Sequence, residues 1–138
     1  MKLHHVGIIV RSISDYEKNF LYEKKLDEVV DPIQNAKLAL YTSFSETLIE
    51  LIEPLNENSL LWGVLNKRGT HINHLCYAHN DIDEIMEISK KLGYLKILGP
   101  VKAALFKNKD VIFFYTKNKE IIEFLVEDKE GKDEGQSN

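Results

Sequence analysis

The chain reads as an α+β protein made of two copies of one unit, each a strand, a helix and three further strands. Three observations carry that reading. Two buried-strand runs, LHHVGIIV at 3–10 and INHLCYA at 72–78, each lead into a helix with an N-cap residue. Each helix is followed by three extended segments. Two short strings also recur in the same order and at nearly the same separation. His5-Val6-Gly7-Ile8 answers His74-Leu75-Cys76-Tyr77, and Leu48-Ile49-Glu50-Leu51 answers Ile121-Ile122-Glu123-Phe124.

In the first unit the strand 3–10 gives way to a turn, with Ser12 or Ser14 as N-cap and Asp15 and Glu17 as capping-box partners. Ile13, Tyr16, Phe20 and Leu21 fall on one helical face, which predicts a helix to about residue 24. Extended segments follow at 27–31, 36–44 and 47–53. In the second unit Asp81 is the N-cap, with Glu84 three residues on. Ile82, Ile85, Met86, Ile88 and Leu92 make the helix face, and Gly93 stands where a C-cap glycine belongs. Strands are expected at 94–98, 110–116 and 120–127. Between the units, 54–71 predicts a short helix at 59–66 capped by Asn58, and 99–109 reads as a loop carrying Pro100 and Lys102. The expected organisation is one domain over 1–127: module one 1–54, a linker 55–71 and module two 72–127. The tail 128–138 (DKEGKDEGQSN) is polar and expected to be disordered.

The bulk properties narrow the function. At 138 residues the chain suits one domain with a substantial core. A net charge of -4 gives no basic footprint, so nucleic acid is not the expected partner. No apolar run approaches the length of a membrane span, and no leader pattern precedes the first strand. A single cysteine, Cys76, excludes an internal disulfide. A cytoplasmic location is the expectation.

The chemistry is concentrated in four residues. His5 shares a strand face with Gly7 and Ile9, and His74 with Cys76 and Ala78, so small neighbours leave room beside each ring. Glu50 and Glu123 lie between large apolar residues, where an ionised carboxylate must meet water, a cation or a metal. A strand glutamate by itself is ordinarily solvated, and a strand histidine by itself is ordinarily structural. The repeat changes this, because it places the same two residue types at equivalent points of two units related by an approximate two-fold. Two imidazoles and two carboxylates then converge, and a divalent cation resolves the repulsion between the carboxylates. The mixed nitrogen–oxygen set suits Ni, Co, Zn, Mn or Fe and is poor for Ca. The remaining histidines are weaker candidates. His4 has the opposite parity and is expected on the outer face, His71 at the edge of the site, and His79 exposed. Cys76 is a wall residue.

The segments HHVGIIV, LIELIEPLNENS, KRGTHINHLCYAHNDID and KEIIEFLVE resemble recurring segments of the vicinal oxygen chelate superfamily. Within it the chain is most similar to methylmalonyl-CoA epimerases and bacterial glyoxalase I-like proteins. The resemblance implies two βαβββ modules forming a cupped, open eight-stranded mixed sheet around one divalent ion. It puts the metal ligands at His5, Glu50, His74 and Glu123. It implies a metal-dependent isomerase, epimerase or lyase that stabilises an enediolate next to a carbonyl, with Glu123 and secondarily Glu50 as the proton-transferring base. The implied partners are a small carbonyl or thioester substrate and a second copy of the chain in a homodimer. The alternative is a non-catalytic antibiotic-binding protein of the same fold. The chain departs from the relatives in three places. Asn35 and Leu38 stand where epimerases carry a glycine and at times a glutamate near the substrate. KAALFKNKD replaces a glycine-rich segment, and Ile9 replaces the arginine that glyoxalase I uses for glutathione.

Overall fold

The computed structural model describes residues 1–129. The expected disordered tail therefore lies, apart from Asp128 and Lys129, outside the described residues. The first half runs β1 (Lys2–Ile9), α1 (Ile13–Tyr16), β2 (Lys24–Asp31), β3 (Ala36–Thr42) and β4 (Leu48–Pro54). After α2 (Trp62–Arg68) the second half repeats it: β5 (His71–His79), α3 (Ile82–Leu92), β6 (Leu95–Lys102), β7 (Asp110–Tyr115) and β8 (Ile121–Val126).

All eight strands form one curled mixed sheet in the order β2-β3-β4-β1-β5-β8-β7-β6. The order is its own mirror image about the β1–β5 seam, as two repeated units require. β1 pairs with β4, and β5 with β8, in parallel. The other pairings, including the central β1–β5 ladder, are antiparallel. Both halves thus join within one chain.

Strand alternation sorts the side chains onto two faces. One face carries the helices. Ile13 of α1 buries with Val10, Ala39, Tyr41 and Leu51, and Ile85 of α3 buries with Ile112, Phe114, Ile122 and Phe124. The inner face carries two further clusters, one built on Ala36, Leu38, Leu40 and Ile52, the other on Cys76, Ala78, Val111, Phe113 and Leu125. Between these two inner clusters lies the β1–β5 seam.

Several boundaries differ from expectation, each for a visible reason. The first helix does not reach residue 24. Ser12 caps it, accepting from the Asp15 N–H, but after one α-turn and a 3₁₀ turn over Glu17–Asn19 the chain extends at Phe20. Phe20 packs among Tyr16, Tyr22 and Tyr41, Leu21 is exposed, and the Glu23 N–H already bonds to Thr42 O. Pairing with β3 and the aromatic cluster outweigh the helical period of the local sequence. The linker helix starts at Trp62, not 59, and has no side-chain cap. The Asn58 N–H instead donates to Asn56 Oδ1, and the Ser59 hydroxyl is buried and donates to Gln34 O.

Asp81 and Gly93 cap α3 as expected, Gly93 at a φ of 75°. Of the five residues expected on its buried face only Ile85 is fully enclosed. Ser89 is buried alongside it, while Ile82, Met86 and Leu92 are exposed. β6 continues past Gly99 and Pro100 to Lys102 with a register shift between Leu98 and Val101. The proline is tolerated because β6 is an edge strand and the residue sits at an irregularity in its pairing. Among the described residues no helix is long and apolar enough to cross a membrane.

Candidate functional site

His5, Glu50, His74 and Glu123 come together on the inner face at the β1–β5 seam. The registers explain how. Gly7 pairs with both His74 across the seam and Glu50 on the outer side, while Cys76 pairs with both His5 and Glu123. Each histidine therefore faces a small residue on the opposite central strand, and each glutamate flanks that small residue. The room for His74 is literal: a Cβ on Gly7 would stand 2.6 Å from His74 Nδ1 and 2.7 Å from Nε2. All four residues are buried, none more than 4% exposed.

The ligand-type atoms form a compact quartet. His5 Nε2 lies 3.2 Å from His74 Nε2, 3.1 Å from Glu123 Oε1 and 3.4 Å from Glu50 Oε1. His74 Nε2 lies 2.9 Å from Glu123 Oε1 and 3.4 Å from Glu50 Oε1. Ligands about 2.05 Å from one ion stand roughly 2.9 Å apart at octahedral cis positions and about 3.4 Å apart in a tetrahedron. The five separations fill that interval. Calcium, with ligands at about 2.3–2.6 Å and an oxygen preference, would need a wider and nitrogen-free set. The four residues thus fit a first-row divalent ion by spacing and by donor type.

The electrostatics of the four side chains show the same convergence. Burial works against charge on His5, but Glu50 and the Glu123 hydrogen bond override it and hold its pKa well above the ordinary value. His74 is raised in the same way by both glutamates against its own burial. Burial alone would raise the pKa of each carboxyl. Instead His5 and His74 pull Glu50 down, and their hydrogen bonds drive Glu123 down further. Two carboxylates and two rings that can accept protons are thus enclosed together, an arrangement whose desolvation is costly unless the charges are tightly matched.

The other sequence candidates land in different places. His4 was expected on the outer face, but a register shift between Leu3 and His5 turns it toward its neighbour, and its Nδ1 lies 2.8 Å from His5 Nδ1. Burial and the adjacent His5 push its pKa down. His79 was expected to be exposed; it is largely covered and paired with Glu84 of α3. His71 stands outside the quartet, with Nδ1 2.7 Å from Gly69 O. Cys76 is fully buried, and burial together with Glu123 pushes its thiol up to about 12. The departing positions are also explained. Asn35 occupies a turn at a φ of 52° and bonds to Asn56, and Leu38 is core. Ile9 is fully buried.

Two features of the site escaped the sequence reading. The β6–β7 loop lays Phe106 on the His5 ring, centroids 5.2 Å apart at 23°, and edge-on against His4 at 5.1 Å. Its neighbour Leu105 reaches the inner cluster of the first half. Two adjacent large apolar residues among the lysines of KAALFKNKD were the available signal. The second is a groove of about 470 Å³ beside Asn73 and His74. Ile72, Tyr115 and Ile121 give it apolar surface, and Lys67, Arg68 and Lys119 line it with three cations against the single carboxylate of Glu120.

Comparisons with known proteins agree with this geometry. The family model described as glyoxalase/bleomycin resistance protein/dioxygenase superfamily matches residues 4–113. The uncharacterized protein YqjC of Bacillus subtilis (strain 168) is 32% identical over 94 residues, covering 62% of this chain; the match spans 63%, under two thirds, of that protein's length. The mitochondrial methylmalonyl-CoA epimerase of Dictyostelium discoideum is 25% identical over 123 residues, or 85% of this chain and 72% of that one. Among solved structures, hypothetical protein BH1468 of Bacillus halodurans C-125 superposes with a TM-score of 0.79 at 31% identity, covering 94% of this chain and 96% of that one. Methylmalonyl-CoA epimerase of Mycobacterium tuberculosis does so with 0.76 at 25% identity, covering 91% and 87%. With its repeated modules, curled eight-stranded sheet and a family match over most of its length, the chain belongs to the glyoxalase/bleomycin resistance protein/dioxygenase superfamily.

Proposed function

We propose that His5, Glu50, His74 and Glu123 hold one divalent first-row ion, and that the protein moves a proton on a carbon next to a carbonyl. A methylmalonyl-CoA epimerase-type reaction is favoured over a glyoxalase I-type lyase reaction. The observation that carries the reading is the buried quartet, five of whose separations, at 2.9–3.4 Å, match one small ion's coordination sphere. The bound ion would act as a Lewis acid toward the substrate's oxygens and make the adjacent C–H more acidic.

The protein's own groups supply the rest. Glu123 is the candidate base and Glu50 the second. Both ring nitrogens hydrogen-bond to Glu123 and lower its pKa against the effect of its burial. With the rings acting as ligands through bare Nε2 lone pairs, they would no longer donate those hydrogen bonds, and Glu123 would serve as base by partly leaving the ion. Phe106 lies over His5 and excludes water from that side. The cations Lys67, Arg68 and Lys119 suit a substrate with anionic groups beyond its reacting end. The epimerase-type reaction is favoured because Ile9, buried and uncharged, offers no contact to a glutathione carboxylate, and because solved epimerases share the fold.

Two measurements test this. Metal analysis of protein purified without chelator should give near one divalent ion per chain. Less than about 0.2, with none recovered on reconstitution, refutes the metal reading. Incubation with methylmalonyl-CoA in deuterated water should exchange the proton at the branched carbon. A metal-loaded protein that exchanges neither this substrate nor the methylglyoxal–glutathione adduct refutes both named reactions.

A further inference from the structure

The central ladder contains two irregularities, and they are related by the same two-fold as the quartet. Between Leu3 and His5 the register gains a residue in β1, leaving His4 unpaired; between Gly7 and Ile8 it gains one in β5, leaving Asn73 unpaired. His4 immediately precedes His5, and Asn73 immediately precedes His74. In a regular strand the residue before an inward-facing histidine points to the opposite face and cannot reach its ring. A bulge re-aims that residue. Both side chains have swung onto the ring that follows: His4 Nδ1 lies 2.8 Å from His5 Nδ1, and Asn73 Oδ1 lies 3.0 Å from His74 Nδ1. In each case the contact is to Nδ1, the nitrogen facing away from the quartet.

We propose that His4 and Asn73 are a matched pair of positioning residues. Each is delivered by its bulge to accept a hydrogen bond from Nδ1–H of the next histidine, so that both Nε2 lone pairs point at the centre. The inference rests on the metal reading above. Its chemical logic is that a neutral imidazole carries one proton: an acceptor at Nδ1 keeps the proton there and leaves Nε2 free to ligate. Asn73 does this through its amide oxygen. His4 does it through a bare Nδ1, its own proton then residing on Nε2. The same task is performed by different residue types in the two halves, which is why the internal repeat does not reveal it.

The test is zinc affinity, measured by competition with a chromophoric chelator, on folded protein whose unfolding midpoint is recorded alongside. Asn73→Leu and His4→Phe remove the acceptor and should each weaken zinc binding by about 10- to 100-fold. Asn73→Asp keeps only an acceptor, and His4→Asn installs the group that the other half uses; both should stay within about threefold of wild type. Long-range proton–nitrogen spectra of the zinc-loaded wild type should show the proton of both rings on Nδ1. The proposal is overturned if the leucine and phenylalanine variants bind zinc as tightly as wild type, if Asn73→Asp loses as much affinity as Asn73→Leu, or if either ring carries its proton on Nε2. Loss in only one of the two arms overturns the pairing. A wild type that binds no zinc refutes the metal reading itself, whereas a wild type that binds while the variants match it refutes only the positioning role.

Discussion

Gly7→Ala is the smallest change that should disable the site, because the strand face at Gly7 is where the His74 ring lies. The added Cβ would stand 2.6 Å from Nδ1 and 2.7 Å from Nε2, with Cε1 nearer still. Non-bonded heavy atoms settle at about 3.5–4.0 Å, so the ring must retreat by roughly 1 Å. The backbone cannot absorb this, since Gly7 is paired on both sides, with Glu50 and with His74 itself. Metal–ligand distances tolerate about 0.2 Å, so a displacement near 1 Å removes one of four ligands from the sphere. Zinc affinity should fall at least 100-fold. Overpacking adds a stability cost of about 1–3 kcal/mol. The assay is chelator competition on the purified variant with thermal unfolding in parallel. An alanine variant that binds zinc within threefold of wild type, with an unchanged unfolding midpoint, refutes the argument that this face is closed by His74.

Glu123→Gln keeps the shape of the site while replacing both the candidate base and a metal ligand's charge, and should lower turnover by more than about 100-fold with the fold retained; near-normal activity would assign the base elsewhere. The Cys76 thiol, pushed up to about 12 by burial and Glu123, should react with a disulfide reagent at pH 8 roughly 1000-fold more slowly in the native state than after denaturation. Comparable rates in the two states would contradict its enclosure. Glu17 accepts hydrogen bonds from Lys25 at 2.6 Å and from Tyr41, and these two partners hold its pKa below the ordinary carboxylate value. Because the folded value is the lower one, this contribution is present above the unfolded pKa of about 4.3 and is lost as pH falls through the folded value. The gap in unfolding midpoint between wild type and Glu17→Gln should therefore be largest near pH 7 and shrink below about pH 4. A gap independent of pH would mean that the charge on Glu17 plays no part.

The parts of the molecule legible in the sequence are those governed by strict periodicity. Alternation in two apolar strands put His5 and His74 on the same face as their small neighbours, and the repeat linked Glu50 to Glu123; all four side chains meet in the structure. Asp81 and Gly93 were readable because capping is a local matter of backbone conformation and one side-chain bond. What was lost depended on breaks in periodicity or on distant partners. The bulge at His4 inverts its parity, and a parity argument assumes that no bulge exists. The first helix stops early because Phe20 finds aromatic partners and Glu23 finds Thr42, neither visible from the helical pattern alone. His79 is covered because α3 brings Glu84 onto it.

The placement of Leu105 also bears on how the molecule comes apart. Its loop belongs to the second half, yet its side chain completes a cluster otherwise built from Ala36, Leu38, Leu40 and Ile52 of the first. Phe106 beside it touches the inner clusters of both halves. Although the chain is a repeat, the inner core of the first half is closed only by residues of the second. The two modules should accordingly melt in one concerted transition rather than in succession, with far-ultraviolet dichroism and aromatic fluorescence tracing a single curve.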